Sequence, residues 1–435
     1  MSFDAFDAGL LSPGTLGHDA AVSDAAVLDA LVAAEVALTS AYAASGAVGR
    51  DLADAVAAAL DPHGLDVAAL AAAGVAGGNP VIPLVGLLRA RVPAAARPWI
   101  HRGATSQDIL DTALALVARA AAAAIARDLD AIDDALTAFA RENRDVVAAA
   151  RTLTQHAVPT TVGARAAGWV RGVRRAAARV REARDVLPAQ LGGAAGTLSA
   201  AASDVGVEAA AALPGAFAAA LGLAAPDAPW HTQRWPFTEL ADALVQAVDA
   251  LGVLAADVAT LGRTEIGELS EPSAGGSSAM PHKANPVASV LLRAAALRAP
   301  LLGATVHAAA AAAVDERPDG AWHAEWPALR ELCRVALGAA AHGVFIARGL
   351  RVDADAVARN VGLTGGLIVS ERLRAVLVPR IGVERFTDLL GGDGDLSARL
   401  RALPEAADLD VEALLDPAAY VGLAPRLVDE LGDRA

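Results

Sequence analysis

The sequence predicts an all-α protein, with three helical domains around a central bundle of long helices. Two observations carry this. Hydrophobic residues make up 55% of the 435-residue chain, yet aromatics are only 3%, and alanine dominates the remainder. That composition suits closely packed helices, whereas sheets favour β-branched and aromatic side chains. The second is periodicity: bulky apolar residues recur at three- and four-residue steps over long stretches, the signature of a helix with one buried stripe.

The clearest stripe is Leu110, Leu114, Val117, Ile125, Leu129, Ile132, Leu136 and Phe139. A second runs through Leu240, Leu244, Val248, Leu251, Leu254, Val258 and Leu261, about seven turns at 3.6 residues each. Further helices are expected over Thr161 to Val186, Ser199 to Leu223, Pro286 to Val314 and Ala324 to Leu350, bounded by Gly and Pro. The chain divides into residues 1–107, with short helices broken by Gly77-Gly78-Asn79-Pro80; residues 108–350, the long-helix bundle; and residues 351–435, where short helices return. No internal repeat, low-complexity linker or convincing strand pair is evident. A chain of this length is expected to hold two or three units sharing at least one large core.

A formal charge of −14 argues against a nucleic-acid partner, which would need a basic face. Cys333 is the lone cysteine, so no internal disulfide is possible and a reducing compartment fits. The acidic start, Met1 to Leu11, lacks the basic beginning of a signal peptide. The longest uncharged stretch, Ala209 to Pro226, is mostly alanine and is interrupted by Pro214, Gly215 and Gly222, which makes a poor membrane span. A cytoplasmic protein with no membrane partner is expected. The nine histidines show no metal-ligand spacing, so no metal is expected.

Polar residues interrupt the alanine background at five places. His101-Arg102-Gly103-Ala104-Thr105-Ser106-Gln107-Asp108 opens the first long helix. Free N–H groups and hydroxyls there would suit a carboxylate, although Thr105 or Ser106 as a plain N-cap with Asp108 complementing the dipole accounts for the same residues. Arg151 to Thr161 contains His156, and a lone histidine is more often a structural hydrogen-bonding residue than an acid or base. Gln190 to Thr197 is a glycine-rich turn. In Trp230-His231-Thr232-Gln233-Arg234-Trp235, the arginine could clamp a carboxylate, or the segment could be a helix entry.

The fifth place is the most informative. Gly-Gly-Ser-Ser-Ala-Met-Pro-His-Lys-Ala-Asn-Pro spans residues 275–286 and holds Lys283, the one lysine in the chain. Every other permanent cation is an arginine, so a compact three-donor ammonium is placed here in preference to a planar guanidinium. Ser277, Lys283 and Asn285 set a hydroxyl, an ammonium and an amide close together in sequence, a base or nucleophile candidate beside groups that stabilise an anion.

This loop resembles the signature of the aspartase/fumarase superfamily, and the other polar stretches follow the order that the family uses. Within it, G-A-T-S-Q-D-I-L-D-T at residues 103–112, R-T-L-T-Q-H-A-V-P-T-T at 151–161, W-H-T-Q-R at 230–234 and Trp322-His323-Ala324-Glu325-Trp326 are most similar to bacterial 3-carboxy-cis,cis-muconate cycloisomerases of protocatechuate degradation. The resemblance implies a cofactor-free homotetramer, with active sites assembled from three chains and a tricarboxylate substrate. It implies that Ser277, on a mobile loop, removes the proton next to a carboxylate, and that Lys283 and Asn285 stabilise the aci-carboxylate formed, with His156 as a further catalytic candidate. His101, Thr105, Ser106, Gln107, Thr152, Gln155, Arg234, Ser278 and Met280 are the expected substrate contacts.

Two positions depart from the wider pattern. Superfamily lyases that expel an amine or hydroxyl carry histidine where this chain has Leu153. Such poor leaving groups need a proton donor, whereas a lactone opens by expelling a carboxylate, whose conjugate acid has a pKa near about 4. Ala284 stands where the cycloisomerases usually have arginine. The expected activity is interconversion of 3-carboxy-cis,cis-muconate and its lactone. The rival is a lyase acting on another substituted succinate and releasing an amine or other nitrogen group, with His156 or His101 as its acid. A crystallin-like structural role would be supported by loss of the loop serine or lysine, and both are present.

Overall fold

The computed structural model describes residues 8–273, 280 and 283–432 and is 67% helical, with 17 α-helices. Four helices open the chain: α1 (Asp24–Ala44), α2 (Arg50–Ala59), α3 (Val67–Gly74) and α4 (Val81–Arg91). The long α5 (Ser106–Glu142) leads into strands β1 (Val147–Thr152) and β2 (Gln155–Thr161), then α6 (Val162–Asp185), α7 (Ser199–Val205), α8 (Val207–Leu221) and α9 (Trp235–Leu261). Strand β3 (Leu269–Ser270) precedes α10 (Val287–Ala311) and α11 (Gly320–Gly349), and β4 (Arg351–Val352) precedes α12 (Ala354–Gly362). Five short helices finish the chain, α13 (Ser370–Ile381), α14 (Val383–Gly391), α15 (Leu396–Arg401), α16 (Val411–Leu415) and α17 (Ala424–Asp429).

The chain forms two compact units, one from Met1–Asp128, Ala176–Asp249 and Ala294–Ala341, the other from Leu129–Arg175, Ala250–Arg293 and His342–Ala435. In the first, α1 packs on α2 and α8. Ser23 caps α1 by accepting the Ala26 N–H at 3.2 Å, which satisfies one of the first-turn donors. The helix expected over residues 199–223 is two helices, α7 and α8, bent by 117°. The bend falls at Gly206, whose φ of +85° is a conformation that glycine adopts without a Cβ clash.

In the second unit, α13 to α16 gather around Ile368, Leu373, Leu377, Phe386, Leu396 and Leu400, a core that also takes in Ala149 of β1. Each residue of the two long apolar stripes read from the sequence is buried, at 9% exposure or less. Among the described residues, four helices are long and apolar enough to cross a membrane by length and composition; in α5, 72% of the most apolar window is buried inside the protein.

The hairpin corrects the expectation of no strand pair. β1 and β2 pair antiparallel, with Arg151 opposite His156 and Thr152 opposite Gln155. The two residues left to turn the chain are Leu153 (φ +49°) and Thr154 (φ +71°). Two-residue hairpin turns of this kind need φ > 0 at both positions and usually carry Asn, Asp or Gly there. Leu-Thr carries no such signal, so the turn is silent in the sequence. Thr154→Gly should relieve the left-handed strain and stabilise the protein by about 1 kcal/mol, read as a higher midpoint in denaturant melts; a lower midpoint would mean that the turn is not strained.

Candidate active site

The opening of α5 is built around Asp108, which is fully buried. One carboxylate oxygen accepts the Gly192 N–H at 2.9 Å and lies 2.7 Å from His231 Nε2. The other accepts the N–H groups of Gly193 and Thr105, each at 2.9 Å. The reach back to Thr105 is the acidic half of a capping box. The bonds to Gly192 and Gly193 explain the glycine-rich turn: a Cβ on Gly192 would lie 2.8 Å from the His231 ring and from Pro229. Asp108 therefore fastens two loops to the helix start. Thr105 is 8% exposed, and Ser106 is part-exposed as the first residue of α5.

Arg234 and Gln107, expected from the sequence as substrate contacts, are both held in a buried polar network of the first unit. Arg234 is 3% exposed. Its guanidinium donates to Asp111 Oδ2 at 2.6 Å and Oδ1 at 3.0 Å, and to Glu325 Oε2 at 3.1 Å and Oε1. It also lies 4.8 Å from the Trp230 ring centre and 5.2 Å from that of Phe237. Burial opposes its charge, but Asp111 and Glu325 outweigh burial and hold its pKa above the usual arginine value. Trp322 Nε1 donates to the same Asp111 at 2.8 Å. Gln107, 0% exposed, spends its amide N–H groups on Asp111 and the His231 carbonyl. Sequence reading missed Asp111 and Glu325. Their signal is an acid inside an apolar helical stripe and an acid between two tryptophans.

His101 has a partner as well, its Nδ1 lying 2.7 Å from Oε1 of the fully buried Glu35.

In the second unit, the Arg151-Thr152-Leu153-Thr154-Gln155 run forms the end of the hairpin. Arg151 grips Glu268 with two bonds of 3.1 and 2.5 Å, and Asn360 Nδ2 reaches the same carboxylate at 2.8 Å. Burial pushes Glu268 up, but the bonds from Arg151 and Asn360 prevail and hold it below the usual carboxylate range. Thr152, Leu153 and Gln155 are exposed, Leu153 at 96%. Position 153 thus presents an isobutyl group and no proton donor.

His156 lines a cavity of about 480 Å³ with Thr364, Ser370 and Glu371. Its Nδ1 and the Thr364 hydroxyl are buried with no hydrogen-bond partner among the described residues. Burial, with Arg151 nearby, pushes the imidazole below its ordinary pKa, against a smaller pull from Glu268.

Of the signature loop, Met280, Lys283 and Ala284 are exposed and Asn285 is half-buried. The Lys283 N–H donates to the Met280 carbonyl at 3.0 Å and the Val287 N–H to the Asn285 carbonyl at 2.9 Å. Ser277 and Ser278 lie outside the described residues.

A family profile described as Lyase matches residues 22–301. The chain belongs to the aspartase/fumarase superfamily. It is 46% identical to a nitrosuccinate lyase of Streptomyces davaonensis, over 97% of this chain and 94% of that protein. It is 40% identical to a 3-carboxy-cis,cis-muconate cycloisomerase of Pseudomonas aeruginosa, over 94% and 92%. The 3-carboxy-cis,cis-muconate lactonizing enzyme of Pseudomonas putida superposes with a TM-score of 0.86 at 37% identity, covering 94% of each chain. This superfamily member is an enzyme, and the all-α fold expected from its sequence is the one it has.

Two outcomes follow. Arg234→Ala would leave Asp111 and Glu325 as uncompensated buried charges and should cost about 3–5 kcal/mol of stability, measured by denaturant melts; an unchanged melt with raised KM would return Arg234 to the substrate. In NMR, the His156 resonance, assigned by its loss in His156→Gln, should titrate below about 6.5. With the folded pKa depressed, the unfolded chain takes the proton first. The stability His156 contributes is therefore full above the unfolded pKa and is lost as pH falls below it.

Proposed function

We propose that this enzyme eliminates nitrite from nitrosuccinate to give fumarate. Ser277 would take a proton from the methylene carbon next to one carboxylate, and the electron pair would enter that carboxylate as an aci-dianion. Lys283 and Asn285 would stabilise the added charge, an electrostatic task. On collapse the carbon–carbon double bond forms, the carbon–nitrogen bond breaks, and its electron pair leaves on nitrite. No cofactor is consumed.

Leu153 supports this chemistry. Nitrite, like a carboxylate, is a weak base and departs without a proton, so an isobutyl side chain suffices where an amine would need an acid. The same residue also suits lactone opening, and the motifs shared with the cycloisomerases keep 3-carboxy-cis,cis-muconate as the second reading. The observation that carries the choice is a shortage of cations. Arg234 has its guanidinium committed to Asp111 and Glu325, and Ala284 is neutral where the cycloisomerases usually have arginine. Among the described candidate contacts, Lys283 is the exposed cation. A dicarboxylate asks for less positive charge than a tricarboxylate. The 46% identity to the nitrosuccinate lyase of S. davaonensis supports the same choice.

A homotetramer with shared sites is part of this reading. It is supported by the apolar pair Leu297 and Leu301 on α10, exposed at 78% and 71%, since exposed apolar residues grouped on one helix face mark an interaction face.

The test is an assay of purified protein for nitrite release from nitrosuccinate beside ultraviolet loss of 3-carboxy-cis,cis-muconate, with adenylosuccinate as control. Nitrite release without added metal or nucleotide is expected, and turnover of muconate alone would make the second reading the right one. Lys283→Arg keeps the charge but not the compact shape, and should lower kcat about a hundred- to a thousand-fold with an unchanged melting temperature. Near-normal turnover in that variant would show that charge alone is enough.

A further inference from the structure

We propose that Glu271 is a positioning residue that ties the two feet of the signature loop together and so fixes where Lys283 and Asn285 stand. The inference rests on the catalytic roles given above to those two residues, and its evidence is separate from them.

The first foot is held from several sides. Glu268 is gripped by Arg151 and Asn360, β3 pairs with β4 through Leu269 with Val352 and Ser270 with Arg351, and the Pro272 ring lies so close to Gly349 that a Cβ there would collide with it. The second foot is the start of α10. It opens after Pro286, which has no side-chain acceptor for the unpaired N–H groups of a first helical turn. Glu271 supplies the acceptors from across the loop. Its Oε2 takes the Ala288 N–H at 3.2 Å and its Oε1 the Ser289 N–H at 2.7 Å, with its negative charge at the positive end of the helix dipole.

Asn285 is directly coupled to this joint. Its carbonyl accepts the Val287 N–H, one residue before Ala288. Glu271, Ala284, Asn285 and Pro286 also line one small cavity of about 80 Å³. A shift of the first turn of α10 would therefore carry Asn285, and Lys283 two residues before it, away from the strand.

Both oxygens of Glu271 are used as acceptors, which sets the order of variants. Glu271→Gln keeps one acceptor but turns the other position into a donor facing an N–H. Glu271→Ala loses both. Because Lys283 is the only lysine, a protease that cuts after lysine has one site in the chain, and its rate on the folded protein reads the tethering of this segment without any substrate. The Ala variant should be cut roughly tenfold faster than the parent, as expected from loss of a helix cap, with Gln between them and the melting temperature little moved. Where the enzyme is assayed, kcat should fall in the same order with a smaller change in KM.

Cleavage at the parental rate in both variants overturns the proposal, as does faster cleavage with unaltered kcat. If the Ala variant does not fold, the Gln variant decides by the same two readouts. If the parent itself fails to turn over nitrosuccinate and muconate, the assigned activity is at fault, and the cleavage rates still decide whether Glu271 ties the loop.

Discussion

The second unit depends on one buried carboxylate. Glu268, 1% exposed, is met by Arg151 from the hairpin, Asn360 from α12 and, at 3.8 Å, Arg165 from α6. Its own backbone carbonyl accepts the Asp353 N–H at 3.0 Å. A buried ion pair gives little net stability, because desolvating the charges offsets much of their attraction. What it supplies is registry. Three chain segments meet that carboxylate, and their joint demands select one arrangement of the hairpin, α6 and α12 around it.

Asp108 does the same for the first unit by a different route. Glu268 gathers cationic and amide side chains, whereas Asp108 gathers backbone N–H groups from Thr105, Gly192 and Gly193 together with His231. Loops rich in glycine have many accessible conformations, and a single acceptor with four bonds selects one of them. In an alanine-dominated chain, where side-chain shape distinguishes little between alternative packings, such polar anchors carry much of the specificity that bulkier cores obtain from interdigitation.

The helices were legible in the sequence because their signal is local and repeated. Each Leu, Val or Ile of the α5 and α9 stripes could be assigned to the core by spacing alone, and the signature loop was identifiable because its residue types make no sense as a linker. Other features were not local. The Leu153-Thr154 turn departs from the residues that such turns favour, so the hairpin could not be read. Arg234 looked like a free clamp because Asp111 and Glu325 are distant in sequence; only folding brings them against it. Glu271 is one acid among fifty, and nothing in its neighbours announces that it caps a helix sixteen residues ahead.

Leu153 has a consequence for how chemistry can change in this fold. Its side chain is 96% exposed and buries almost nothing, so the hairpin holds the position through backbone pairing and the Arg151–Glu268 grip, not through the residue itself. Side-chain packing at that residue therefore adds little to foldability, and what a replacement must meet is the left-handed backbone, φ +49°. An exchange between side chains of similar backbone tolerance there would alter what the hairpin tip presents while leaving the buried core untouched. The tip of the hairpin is thus placed by backbone conformation, and what it offers to solvent is set by a side chain that the core does not touch.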